Sequence, residues 1–127
     1  MTNLTKLTVV AVVIMILWSV TLGSARQVSA SHVDPVLEPG NPSCPAGTIE
    51  LKVEPVEDGI YSDGTLTVTI DVRDTSEGQV FDFTSNIGLD TVIAKGGPDG
   101  NVYSYDPEVT ADTGLHAPVN PSNGIYY

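Results

Sequence analysis

The sequence predicts an all-β protein, a small antiparallel β-sandwich of the immunoglobulin-like or transthyretin-like kind, and three observations carry that expectation. Apolar residues alternate with polar ones at a period of two in several short windows. Between the windows recur turn signals built from glycine, proline, asparagine and aspartate. No helical period appears beyond the first thirty residues. Short strands separated by tight turns at this spacing are what a sandwich requires, because each strand then buries one face against the opposite sheet.

Each element can be justified in order. Thr48 to Glu54 sets Ile49, Leu51 and Val53 against Glu50, Lys52 and Glu54, which reads as a strand with one buried face. Asp58-Gly59 and Asp63-Gly64 then turn the chain. Thr65 to Asp74 holds the cleanest alternation, with Leu66, Val68, Ile70 and Val72 on one side and Thr67, Thr69, Asp71 and Arg73 on the other. After a turn at Thr75 to Gly78, Phe81 and Phe83 share one side of the next window and form the expected aromatic core. Ile87 to Lys95 becomes continuously apolar towards its end, as in a strand covered on both faces or one whose register changes near Gly88. Tyr103 and Tyr105 share a face of the following strand. From Pro107 the chain is rich in turns, until Gly124 to Tyr127 starts what reads as one more strand.

The ends bound the setting. Met1 to Ala30 reads as a secretory signal peptide, with Lys6 as the positive flank, an apolar run from Leu7 to Leu22 and a small-residue exit at Val28-Ser29-Ala30, so cleavage is expected after Ala30. The run is marginal for the ~20 residues of a membrane helix, and an uncleaved anchor is the alternative. Ser31 to Ala46 is punctuated by prolines and reads as an extended lead-in, ordered near Cys44; the domain itself is expected over 47–127, C-terminally incomplete or not. The expected location is therefore secreted or extracellular. Without Lys6 and Arg26, sixteen acidic residues stand against Lys52, Arg73 and Lys95, and the formal charge moves from −11 to −13. Such a surface repels nucleic acid and anionic lipid, which leaves the signal segment as the only membrane-directed part. Cys44 is the single cysteine. In an oxidising compartment it needs a partner in another chain, a free-thiol role, or a missing piece of its own chain.

The densest pattern is "VIAKGGPDGNVYSYDP", residues 92–107. A phosphate loop would place glycines ahead of the lysine and open a helix; here Lys95 precedes the glycines and a strand follows, so a hairpin turn is expected. Lys95 reads as a solvated or salt-bridged residue, with a side-chain crosslink to an asparagine as the weaker alternative. Asp99, Asn101, Asp106 and Asp112 lie close in sequence among turns and form a candidate calcium site, since calcium takes several oxygen ligands. No other cofactor is expected. Tyr103, Tyr105, Tyr126 and Tyr127 could act as stacking platforms for a carbohydrate. Asp112 and His116 could pair as a carboxylate-oriented base of a hydrolase, although no nucleophile motif accompanies them.

The pattern V-I-x-K-G-G-P, Y-S-Y-D and D-x-G-L-H-x-P-x-N, spread over "LDTVIAKGGPDGNVYSYDP" and "DTGLHAPVNPSNG", resembles that of a family of small exported microbial proteins. The resemblance covers roughly Asn41 to Tyr127 and implies no activity. Members of that family usually continue past the position of Tyr127 into a further strand ending near a cysteine. It therefore implies a disulfide between Cys44 and a partner absent from this chain, and an open sheet edge beside Gly124 to Tyr127 able to accept a strand. The expected function is a non-enzymatic β-sandwich module, secreted or at the cell surface, with a structural or interaction role. The alternatives are a carbohydrate-binding module using exposed tyrosines and, more remotely, the hydrolase. The expected partners are a cell-surface protein or a polysaccharide.

Overall fold

The computed structural model describes residues 32–127; the segment expected to be a signal peptide, Met1 to Ala30, lies outside the described residues. The all-β expectation holds there: five antiparallel strands form one sheet and no helix is present among the described residues. The strands are β1 (Val36–Pro39), β2 (Gly59–Ser62), β3 (Thr67–Thr75), β4 (Gly78–Gly96) and β5 (Asp99–Leu115), in the sheet order β1-β5-β4-β3-β2. The four consecutive strands β2 to β5 pair through short turns, and β1 and β2 form the two opposite edges.

The turns follow the sequence signals. Between β2 and β3, Asp63 Oδ1 accepts hydrogen bonds from Thr65 N at 2.8 Å and Leu66 N at 2.7 Å, an aspartate standing in for a backbone turn carbonyl. Thr75 pairs with Gly78 and Gly96 with Asp99, so both long hairpins close through two residues. In the second, Gly97 takes a φ of +60° directly before Pro98, which suits the first central position of a type II′ turn. The lysine-glycine stretch is thus a hairpin tip.

The two long strands are not straight. Thr84 pairs with Ala111, Leu89 with Val109 and Thr91 with Ser104, so residues 85–88 of β4 oppose a single residue of β5, and residues 105–108 of β5 then oppose a single residue of β4. The two bulges compensate, and a bulge bends its strand and sharpens the twist. Gly88 sits in the first, where a register change was expected. A Cβ there would lie 2.8 Å from Glu108 Oε2 and 2.9 Å from Glu108 Cβ, so only glycine lets the two bulges approach this closely.

The core joins both halves of the bent hairpin. Leu66, Val68 and Ile70 from β3 and the turn before it, Phe83 and Ala94 from β4, and Tyr103, Tyr105, Val109 and Leu115 from β5 form one buried cluster. Phe83 is buried as expected, whereas Phe81 is only half-buried at the cluster margin.

Several expectations about elements need correction. The stretch between Asp58 and Asp63, read as turn, holds β2, and the stretch after Pro107, read as rich in turns, continues β5 to Leu115. Thr48 to Glu54 is not a strand. It belongs to the connection between β1 and β2, on opposite edges of the sheet, and pairs with neither. Its alternation is real in one respect, since Leu51 packs against the core while Ile49 is 61% exposed. Periodicity reported which side chains meet apolar surface, not whether the backbone has a ladder partner. The lead-in, conversely, contains β1, which pairs with β5 from Val36↔Val102 to Pro39↔Asp99, so the sheet begins before residue 47. Gly124 to Tyr127 forms no strand and no open sheet edge. Its one bridge is Val119↔Tyr126, and the segment folds over the hairpin tips, with Tyr126 N donating to Glu77 O at 2.8 Å. Tyr127 lies over the other tip, where a Cβ on Gly97 would fall 2.5 Å from its ring. No helix of the described residues is long and apolar enough to cross a membrane.

Candidate functional site

The bulges of β4 and β5 create the most distinctive chemical feature of the molecule. Tyr105 and Asp112 are seven residues apart on β5, which in a straight strand would separate them by ~23 Å. Yet the Tyr105 hydroxyl donates to Asp112 Oδ2 at 2.6 Å. The strand folds back between them, through the stretch 105–108, and places a carboxylate inside the core. Tyr105 also meets Phe83 edge-on, with ring centroids 6.4 Å apart.

Asp112 is 1% exposed and its carboxylate is fully engaged. Besides Tyr105 it accepts from its neighbour Thr113 N at 2.7 Å, and His32 Nδ1 approaches Oδ1 at 3.0 Å. A carboxylate only accepts, so Nδ1 is the protonated nitrogen in this contact. The His32 side chain is 53% exposed, so the chain of bonds runs from the core, through Asp112, to the surface. Burial first, and the neighbouring Asp112 second, push the Tyr105 phenol far above its ordinary range; burial likewise raises Tyr103.

A second knot adjoins it. The Tyr103 hydroxyl accepts from His116 N at 3.0 Å and donates to His116 O at 3.2 Å, and Asn101 Nδ2 donates to the same carbonyl at 3.0 Å. The His116 ring stacks on Tyr126, with centroids 3.8 Å apart and planes inclined by 13°. Its Nδ1 contacts Ala117 O at 2.8 Å, which requires the proton on that nitrogen. Tyr103 is thus fixed at the hydroxyl and His116 on its ring face.

The residues picked from sequence fare differently. Tyr103 and Tyr105 are 0% and 4% exposed, so neither can present a ring to a ligand; alternation points both inward, and their hydroxyls take internal partners. Tyr126 spends its face on His116, and Tyr127 lies over the Gly96-Gly97 tip. The calcium set does not converge. Asp99 stands at the hairpin tip and accepts from Gly40 N at 3.2 Å, Asn101 is buried against His116, Asp106 is exposed in the bulge, and Asp112 is consumed in the core. No group of three or more His, Cys, Asp or Glu side chains among the described residues could hold a metal ion. Asp112 and His116 do not form the imagined dyad either: the histidine on Asp112 is His32, eighty residues away. Nothing in the sequence spacing reveals that contact. Lys95 Nζ donates to Asn41 Oδ1 at 2.5 Å on the surface. Cys44 is a half-buried free thiol, raised above its usual range by burial and then by Glu50 and Asp90, which makes it a weaker nucleophile.

An open groove of about 440 Å³ is lined by Val56, Glu57, Asp58, Val72, Asp74 and Gln79. Asp58 is already engaged there, since its Oδ1 accepts from Val72 N at 2.6 Å. Set against known proteins, the chain matches no protein family, no curated protein and no solved structure.

Proposed function

We propose that this chain is an exported, non-enzymatic β-sandwich module that works at or outside the cell surface in a structural or interaction role. One observation carries the reading: among the described residues, every buried side-chain nitrogen and oxygen has a hydrogen-bond partner within the protein. Asp112, Tyr105, Tyr103 and Asn101 are the groups with chemistry to offer, and they spend it on one another and on His116. A catalytic centre holds polar groups ready for a substrate; this cluster rigidifies a small core. The sandwich is supported by the meeting of Phe83 and Tyr105 across the bend, and export by the leader-like start and the acidic surface.

The test is made on protein expressed from its own reading frame. The expected result is recovery from the medium or cell surface with the leader removed, saturable binding to a cell-envelope fraction, and no turnover of ester, peptide or glycoside substrates. Turnover that disappears in a folded His32→Ala variant would show a hydrolase built on the surface end of the His32–Asp112 chain and would overturn the reading.

A further inference from the structure

We infer that the first described segment, residues 32–42, is an exchangeable arm, and that the outer edge of β5 accepts the same arm from a second copy of this chain. The inference rests on the interaction role proposed above and names its partner. In β1 every side chain is exposed, with Val36 at 63% and Leu37 at 58%, so the strand owes almost nothing to the core. What holds the arm is a four-residue ladder on β5 and a set of specific contacts along it. His32 reaches Asp112, Val33 packs at the core margin, Gly40 N donates to Asp99, Asn41 accepts from Lys95, and a Cβ on Gly100 would fall 2.6 Å from Pro42. A seat this detailed is complementary to one sequence, and every second copy of the chain carries that sequence.

The route to exchange is also present. β1 and β2 lie at opposite edges of a five-stranded sheet. Crossing four strand spacings takes ~19 Å on a flat sheet. Leu51 is the point at which the connection packs on the core. The residues from there back to Pro42, the end of the arm, could reach ~30 Å if extended, beyond that need. Gly40 and Gly47 both take positive φ, at 82° and 85°, with open space where a Cβ would stand. Gly47, between the end of the arm and Leu51, is the natural point for redirecting the chain, because glycine changes φ at little cost. The ladder and contacts are the same whether the arm is a copy's own or its neighbour's, so concentration and the connection decide the balance.

The test uses full-length secreted chains with Cys44 replaced by serine. Val36 and Val102 are direct partners in the ladder, so the double variant V36C/V102C must close an internal disulfide, and failure to do so would overturn the arm's placement and the inference with it. V36C and V102C chains are then mixed at high concentration, warmed briefly and oxidised slowly. The expected result is a reducible mixed dimer about tenfold above that from a control pair, I60C with V102C, in which the cysteine lies on the far edge strand β2. A mixed dimer no more abundant than the control, with the internal disulfide intact, would show an arm that stays on its own chain and overturn the inference. The readout involves no substrate or envelope ligand, so failure here leaves the proposed function to its own test.

Discussion

Two strands flank β5 and are held to it by different physics. On one side β4, with Phe83 and Ala94 buried, shares a core with β5 through Tyr103, Tyr105, Val109 and Leu115. On the other side β1, four residues long, pairs without a register shift but with every side chain exposed. Ladder hydrogen bonds alone contribute little net, because the unfolded chain makes the same bonds to water. Burial is what separates the two: damage at the β4 side should lower the stability of the whole fold, whereas damage at the β1 side should open the arm locally.

The largest expected effect lies where the β5 bend meets the core. Tyr105→Phe removes the shortest hydrogen bond to a carboxylate that is 1% exposed, and should cost about 2–3 kcal/mol, since the charge left short of a partner is buried. Urea titration should show the midpoint falling with an unchanged slope. His32→Ala removes another partner of the same carboxylate, but from a half-exposed position, and should move global stability by no more than about 0.5 kcal/mol while speeding amide exchange along Val36 to Pro39 and its β5 partners. Equal losses in the two variants would mean that the arm belongs to the cooperative unit, and the contrast between β4 and β1 would fail.

The same bond predicts behaviour in alkali. The folded-state pKa of Tyr105 is raised, chiefly by burial, and that of Tyr103 is raised likewise. For groups raised in the folded state, their contribution is fully present below the ordinary phenol range near pH 10 and is lost as pH rises towards the folded values. Phenolate absorbance at 295 nm should therefore stop short of all five tyrosines near pH 10 and complete only as near-ultraviolet circular dichroism disappears. Full ionisation of a folded protein near pH 10 would place those hydroxyls in water.

A smaller effect belongs to the hairpin tip. Gly97→Ala forces a φ of +60° on alanine and pushes a methyl group at the Tyr127 ring. The ring is 43% exposed and can swing away, so the backbone accounts for most of the loss, about 1 kcal/mol by thermal or urea unfolding.

How much of this could be read beforehand divides along the same line. β3, β4 and the first half of β5 announced themselves, because Val68 and Ile70, Phe83, and Tyr103 and Tyr105 are sequence-local alternations with a buried side, whereas the second half of β5, Pro107 to Leu115, reads as turns. Gly88 signalled the register change for a local reason too. β1 was invisible: Val36-Leu37-Glu38-Pro39 has no buried side, so no period could mark it, and its pairing is with residues some sixty positions on. Thr48 to Glu54 misled for the opposite reason, with a period and no ladder. The Asp112 centre was half legible. The spacing of Tyr105 and Asp112 would forbid contact in a straight strand, and neither the compensating bulges nor the approach of His32 has a sequence signature.

The smallest expected effect is on the outer surface of the β3–β4 hairpin. Arg73 donates to Asp82 at 2.7 Å, and Asp82 also accepts from Gly114 N at 2.8 Å. The Arg73 bond is the main cause that holds the Asp82 carboxyl below its ordinary range, with the Gly114 amide adding to it against partial burial. A depressed folded value means that the contribution is present above the ordinary carboxylate range near pH 4 and is lost as pH falls through the lower folded value. Arg73→Ala should thus lower neutral-pH stability only slightly, because exposed pairs are screened, and should flatten the fall in stability below about pH 4 by the same small amount. Raising the salt concentration should have the same sense of effect on the parent chain. If instead the variant lost as much stability at neutral pH as Tyr105→Phe, surface pairing would rival the buried centre, and burial could no longer explain why β4 and β1 hold β5 so differently.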